Sequence, residues 1–327
     1  MKALNQIKSQ LKGIESTFRK VNYPKTITIE LTNRCNIKCI QCAHSDMKRP
    51  KGDMDIKLYQ KIIDDIAENS PSSMVWLSCY GESLIIGCEN ISRMVSYAKS
   101  KGLTNLFMNT NGVLLSDEMA KVLVESGLDN LIVSINGFSS EVFESINIGA
   151  RRDNVYNNVI GLKKTMIEKN VNTPRIQAQF IVMDKNEHEI DEYRHFWAKN
   201  NIAVKIRPKN TWGGNVEGEK NIDDSMERVA CGLAVYDFQV LWNGDVVYCA
   251  HDINAEHILG NLNNETIKNV WDIYLEKMVT PHINHEFHLL PEFCRNCLDW
   301  QTIGSVNYDE SGERYIKSYS YIKEGQQ

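Results

Sequence analysis

The sequence predicts an α/β protein, a partial (β/α)6 TIM-like barrel followed by a small C-terminal domain, and three observations carry that expectation. Short β-rich runs at 26–31, 74–79, 103–108, 130–135, 175–183 and 202–207 alternate with helical stretches, the pattern of a parallel sheet built from strand–helix units. Six such units are too few to close an eight-stranded barrel, so a concave inner face stays open. Over 211–219 the chain turns rich in Gly, Asn and charge, including Trp212-Gly213-Gly214, and a second unit begins at Cys231.

Taken in order, residues 1–22 place Leu4, Ile7, Leu11, Ile14 and Phe18 three or four apart, which reads as an amphipathic helix ending before Pro24. The barrel is expected over 23–210 and a linker over 211–230. The second domain, 231–300, opens with a hairpin of runs 237–242 and 245–248, turned by Asn243-Gly244, and continues with a helix over 266–278. Residues 301–327 read as a polar, partly loose tail.

Composition bounds the function. With 327 residues, 42% of them hydrophobic, the chain is long enough to bury a real core. A formal charge of -5 leaves no basic excess for a phosphate backbone, which argues against nucleic acid as partner. No apolar run approaches the roughly 18 to 20 residues of a membrane helix, and the N-terminus lacks a signal-peptide core, so a cytoplasmic protein with no membrane partner is expected. Nine clustered cysteines in a reducing compartment point to metal or redox chemistry rather than disulfides.

Cys35, Cys39 and Cys42 form C-x3-C-x2-C just after the first predicted strand, at the end of the sheet where α/β ligands sit. Three thiolates bind three irons of a cubane and leave the fourth open for a ligand to chelate and receive an electron. A zinc site completed by His44 is the alternative. The segment resembles the signature of the radical S-adenosylmethionine (SAM) superfamily. The resemblance implies that SAM binds the open iron of a 4Fe-4S cluster, that one electron cleaves it, and that the 5'-deoxyadenosyl radical abstracts a substrate hydrogen. Gln41 stands where many members carry an aromatic residue.

Further segments match in order. Gly81-Glu82 resembles the family's Gly-Gly-Glu-Pro segment, which holds the cofactor's amino group, with Tyr80 for the first glycine and Ser83 for the proline. Thr110-Asn111-Gly112 resembles its Thr-Asn-Gly segment, and Ser134-Ile135-Asn136-Gly137 resembles Ser-Ile-Asp-Gly, which faces the ribose. On the resemblance Gly81, Glu82, Asn111, Ser134, Asn136, Arg152 and Gln179 are candidate cofactor contacts, Arg152 and Gln179 having structural roles as their alternative.

Cys231, Cys249, Cys294 and Cys297 form a second set, C-x17-C, a long gap, then C-x2-C. Four thiolates close either a structural zinc or a fully ligated 4Fe-4S cluster. Beside a radical site the cluster is the expected occupant. This half resembles the superfamily's SPASM and twitch domains, and with no cysteine after Cys297 the one-cluster twitch form is the nearer match. The layout resembles that of an aminocyclitol dehydrogenase.

Hydrogen abstraction from a carbinol followed by deprotonation leaves a reducing ketyl radical, and a closed auxiliary cluster would accept its electron. The expected function is therefore oxidation of a small hydroxyl-bearing substrate, a sugar or aminocyclitol, with an external one-electron donor such as flavodoxin or ferredoxin. The competing readings are maturation of a ribosomal peptide, epimerisation with Cys79 as hydrogen donor, and a non-catalytic iron-sulfur or zinc module. Cys79 ends the second strand, and Arg207, with Lys209 and Asn109, ends a strand at the expected mouth. They are the candidates for catalysis and substrate binding, set against tight packing for Cys79 and a solvated rim for the rest. Cys88 reads as a small buried filler, and His251 and Asp252 as neighbours that shield or tune the second cluster.

Overall fold

The computed structural model describes residues 21–218, 227–302 and 305–315, so the helix expected over 1–22 falls almost wholly outside the described residues. In chain order the strands are β1 Thr26–Ile29, β2 Lys38–Cys39, β3 Met74–Trp76, β4 Leu106–Thr110, β5 Asn130–Ser134, β6 Asn147–Ile148, β7 Arg175–Val182, β8 Ala203–Pro208, β9 Asp237–Val240, β10 Asp245–Val247, β11 Ile258–Asn261, β12 Val306–Tyr308 and β13 Arg314–Tyr315. The six predicted strands are β1, β3, β4, β5, β7 and β8, neighbours in that order and all parallel. Helices follow or separate them, among them Ile56–Asn69, Gly87–Ser100, Asp117–Glu125, Arg152–Glu168 and Ile190–Lys199.

Alternation along the strands sorts the two faces. Phe180 on β7 packs edge-on against Tyr193, within an aromatic layer that includes Tyr156, Phe196 and Trp197, so residues in phase with it form the helix-covered core. The other phase, Gln177, Gln179 and Ile181, lies on the inner face, and parallel register puts Ala203, Lys205 and Arg207 of β8 beside them.

Both edges of the six-stranded sheet are covered. The hairpin of β9 and β10 is turned at Gly244 with φ 90°, and β9 pairs parallel with β1 from Thr26↔Asp237 to Ile29↔Val240. At the other edge β12 pairs antiparallel with β8 and β13 with β12. An open sheet leaves a row of unpaired N–H and C=O groups at each edge, and those two additions pair them. The helix expected over 266–278 is α-helical only at Ile267–Tyr274, N-capped by the Thr266 hydroxyl, and then widens into a π turn at Leu275–Val279. Among the described residues no helix is long and apolar enough to cross a membrane.

Candidate active site between two cysteine sets

The first cysteine set occupies the loop at the carboxyl end of β1. Its shape is fixed by the short antiparallel pair of β2 with β6, Lys38↔Ile148 and Cys39↔Asn147, and by the Cys42 N–H donating to the Cys39 carbonyl at 3.2 Å. Asn147 Oδ1 lies 3.5 Å from Cys39 Sγ, and Asn111 Nδ2 lies 4.0 Å from Cys35 Sγ. Burial pushes all three thiols above their ordinary range, Cys42 to about 11; the charges of Cys42 and Cys35 push Cys39 further. Three converging thiols that resist ionisation fit a cationic iron cluster, which supplies the positive charge that their thiolates lack here.

The segments that resemble cofactor contacts converge on this loop. Gly81 has φ +79°, and a Cβ there would lie 2.6 Å from the Arg34 carbonyl oxygen and 2.8 Å from that of Thr32. Only glycine lets the 79–82 turn pass so close to the cysteine loop, an approach completed by the Glu82 N–H donating to Arg34 O at 2.8 Å. The buried Glu82 carboxylate accepts from Asn111 N at 2.6 Å, Thr110 Oγ1 at 2.8 Å and Leu84 N at 3.1 Å. It therefore ties the end of β4 to the end of β3. Asn111, so held, also donates to Asn36 Oδ1 at 2.8 Å.

The remaining candidates divide. Ser134 and Gln179 meet on the inner face, with Gln179 Nε2 3.4 Å from Ser134 Oγ. Asn136 is fully buried; its amide donates to Asn147 Oδ1 at 3.1 Å and its oxygen accepts from Ile181 N at 3.0 Å, so it braces Asn147 behind Cys39. Arg152 lies over the Tyr156 ring at 3.7 Å and donates to Phe138 O at 2.9 Å, within the aromatic layer on the helical side.

The second set converges as well. The charges of Cys231, Cys294 and Cys297 all bear on Cys249, behind burial as the largest cause of its raised pKa. Side chains surround the sulfurs. Burial holds the His282 imidazole neutral, down to about 3, and its Nδ1 accepts from Cys231 N at 3.3 Å. The other ring nitrogen, Nε2, is then the protonated one, and it points at Cys294 Sγ from 3.6 Å. Arg228 Nη2 donates to the same sulfur at 3.5 Å. His251 donates its backbone N–H to Cys249 Sγ at 3.5 Å, while its Nδ1 lies 3.9 Å from Cys297 Sγ and 3.2 Å from Asp299 Oδ2. Four thiols ringed by donors fit a closed iron-sulfur cluster, whose thiolate charge those donors would stabilise.

Between the two sets runs a layer of contacts, part of it from the stretch around Trp212. Asp299 accepts from Thr211 N at 2.5 Å and Gly213 N at 2.9 Å, which aims the Trp212 indole so that its Nε1 donates to Gln41 O at 2.9 Å. The same ring lies 5.4 Å from Tyr80 and 5.6 Å from His251. A buried Glu30–Arg49 ion pair adds a second tie, with Arg49 Nε donating to Ile253 O at 3.0 Å and Trp242 N to Glu30 Oε2 at 3.2 Å. Beside it the Cys79 thiol donates to Gln239 Oε1 at 3.1 Å, and burial keeps its pKa well above the ordinary value, so it retains its hydrogen. Arg207 lies on the inner face at the end of β8, and its charge reaches both His251 and Lys205.

Lys205 escaped the sequence reading, although its place in the alternation of β8, two residues before Arg207, marks it as inward. It is 6% exposed, and burial followed by the Arg207 charge lowers its pKa to about 7. His282 and Arg228 were missed because neither lies in a cysteine motif. Asn109 Oδ1, Tyr80 OH and Gln41 Oε1 are buried with no hydrogen-bond partner among the described residues.

The Radical SAM superfamily model matches residues 29–196, and an iron-sulfur cluster-binding domain, SPASM, matches 231–298. A cofactor-modifying protein for tungsten-containing aldehyde ferredoxin oxidoreductase from Pyrococcus furiosus is 35% identical over 34% of this chain and 31% of its own. The chain spans less than two thirds of the length of the first curated relatives it matches. The SAM-dependent 2-deoxy-scyllo-inosamine dehydrogenase of Niallia circulans is 22% identical over 86% of this chain and 96% of its own. Streptococcus suis SuiB bound to precursor peptide SuiA superposes with TM-score 0.64 at 14% identity, over 78% of this chain and 66% of that one. The first match brings SAM and a 4Fe-4S cluster, and the second brings auxiliary iron-sulfur chemistry. The chain belongs to the radical SAM superfamily, with a SPASM iron-sulfur domain behind its barrel.

Proposed function

We propose that the protein oxidises a hydroxyl of a small polar molecule, of sugar or aminocyclitol type, at the barrel mouth between the two cysteine sets. The observation that carries this reading is a pair of buried polar atoms without hydrogen-bond partners among the described residues, Asn109 Oδ1 and the hydroxyl of Tyr80, which follows Cys79 in the chain where that thiol meets Gln239. Leaving such atoms unsatisfied costs on the order of 1–3 kcal/mol each, and a substrate rich in hydroxyls relieves that cost. The similarity to the 2-deoxy-scyllo-inosamine dehydrogenase along nearly its whole length supports the same class.

In this reading Cys35, Cys39 and Cys42 hold the cluster that cleaves SAM, and Gly81, Asn111, Ser134 and Gln179 line the cofactor's place beside it. Glu82 and Asn136 set the loops, and Arg152 fixes the helical layer. Cys231, Cys249, Cys294 and Cys297 hold an auxiliary 4Fe-4S cluster that receives the substrate electron. A flavodoxin or ferredoxin in the cytoplasm supplies the electron that starts the cycle.

The test is anaerobic reconstitution followed by incubation with SAM, reductant and 2-deoxy-scyllo-inosamine or simple sugars deuterated at their carbinol carbons. Deuterium in 5'-deoxyadenosine with one equivalent of ketone supports the reading. Deuterium transfer from a peptide alone, or an inverted alcohol carrying solvent deuterium, replaces it with peptide maturation or epimerisation.

A further inference from the structure

We propose that Lys205 is the base of the reaction, its Nζ taking the hydroxyl proton of the substrate once the carbinol hydrogen is gone. The assignment rests on the hydroxyl-oxidation reading and deepens it.

Four features place the amine for that work. Lys205 sits on the inner face of β8, in register with Gln179 of β7, and Gln179 reaches Ser134 of β5. The side chain extends across the barrel until Nζ lies 6.0 Å from the Trp76 ring centre on β3, so the amine is held over the inner face. That face is aromatic there, because Trp76 stacks on Phe107 of β4 with centroids 4.6 Å apart. The residue is 6% exposed, and a lysine enclosed in this way favours its neutral, proton-accepting form.

The surroundings agree. Arg207, on the same face of the same strand, is the charged neighbour that bears on Lys205, and it also disfavours the ammonium; burial is the larger cause, and together they bring the pKa to about 7. On the other elements, Gln179 on β7 and Asn307 on β12 stand in register with Lys205, and the Trp76 ring on β3 lies near its amine.

The step balances. The substrate's carbinol hydrogen atom goes to the 5'-deoxyadenosyl radical, giving 5'-deoxyadenosine. The hydroxyl proton goes to Lys205 Nζ, and the remaining electron passes to an oxidised 4Fe-4S cluster as the C–O bond becomes C=O. Without the base the protonated radical is a poorer reductant, so abstraction outruns oxidation.

Two measurements on the anaerobically reconstituted holoenzyme test this. The first needs no substrate: trace labelling with acetic anhydride across a pH series, read by mass spectrometry of the peptide that contains Lys205. Labelling that rises through about pH 7, well below the surface lysines, supports the proposal. Labelling that rises only near pH 10, or a lysine no small reagent reaches, overturns it. The second uses carbinol-deuterated 2-deoxy-scyllo-inosamine with wild type and Lys205→Met. The variant is expected to keep deuterium transfer into 5'-deoxyadenosine while ketone formation falls by about 100-fold or more. A variant in which ketone still equals deuterium transferred overturns the proposal. Wild type that transfers no deuterium from this probe counts against the oxidation reading, and the labelling then decides on the amine by itself.

Discussion

The Trp212 indole N–H donates to the Gln41 carbonyl between Cys39 and Cys42, while the same ring lies 5.6 Å from the His251 ring beside Cys249 and Cys297. One side chain thus touches the loops of both cysteine sets. Trp212→Phe keeps the ring contacts and loses the hydrogen bond, which is expected to cost about 1 kcal/mol. Trp212→Ala loses both, and about 3 kcal/mol of stability with them. Urea midpoints of the reconstituted holoprotein measure these losses, and the mutual relaxation enhancement of the two reduced clusters in EPR is expected to weaken in the alanine variant alone.

Gly81→Ala is expected to disable the first cluster and spare the second. A methyl group 2.6 Å from the Arg34 carbonyl at φ +79° forces apart the turn and the cysteine loop that it crosses. Iron analysis is expected to fall from about eight to about four per chain, since a cubane holds four irons. Retention of both clusters would show that the crossing relaxes without disturbing Cys35.

Lys205 ties stability to pH in a definite direction. Its pKa falls from 10.5 to about 7 on folding, so between those values the unfolded chain binds the proton and the folded chain does not. Stability therefore rises with pH across roughly 7 to 10 from this group, and the charged form is disfavoured below that window. Lys205→Met is expected to be more stable than wild type at pH 7 and to flatten the rise, as chemical denaturation at several pH values measures. A parallel shift of both curves with no change in slope would refute the buried-amine account.

Much of this architecture is legible in the residues. The six parallel strands announce themselves by β-rich runs at regular spacing, the hairpin by Asn243-Gly244, and the two cysteine sets by spacing alone. What hides is whatever depends on long-range pairing. Nothing local in 237–247 or 306–308 says that these strands cover the edges at β1 and β8, because that follows from unpaired backbone groups at an open sheet's ends. The Gly- and Asn-rich stretch around Trp212 reads as a linker by composition, yet Asp299, far along the chain, fixes it as a clamp. Lys205 hides because a lone lysine in a strand looks like an edge residue until its neighbours cover it. Spacing is equally silent on what braces the Asn136 and Arg152 side chains, which meet Asn147 and the Tyr156 ring.

Cys79→Ala separates oxidation from epimerisation. The thiol keeps its hydrogen and donates it to Gln239, so a radical epimerase would have its donor in place. Under the oxidation reading the variant is expected to form ketone at close to the wild-type rate, with a stability loss of about 1 kcal/mol from the broken hydrogen bond. Solvent deuterium in an inverted product that vanishes in Cys79→Ala would favour epimerisation.

The most direct test replaces Cys35, Cys39 and Cys42 together with alanine and leaves the second set intact, then follows iron by Mössbauer spectroscopy and SAM by 5'-deoxyadenosine formation under strong reductant. The expected result is the loss of one cubane of two, and no 5'-deoxyadenosine. A triple variant that retains all of its iron, or that still cleaves SAM, would contradict the assignment of the cleaving cluster to those three thiols.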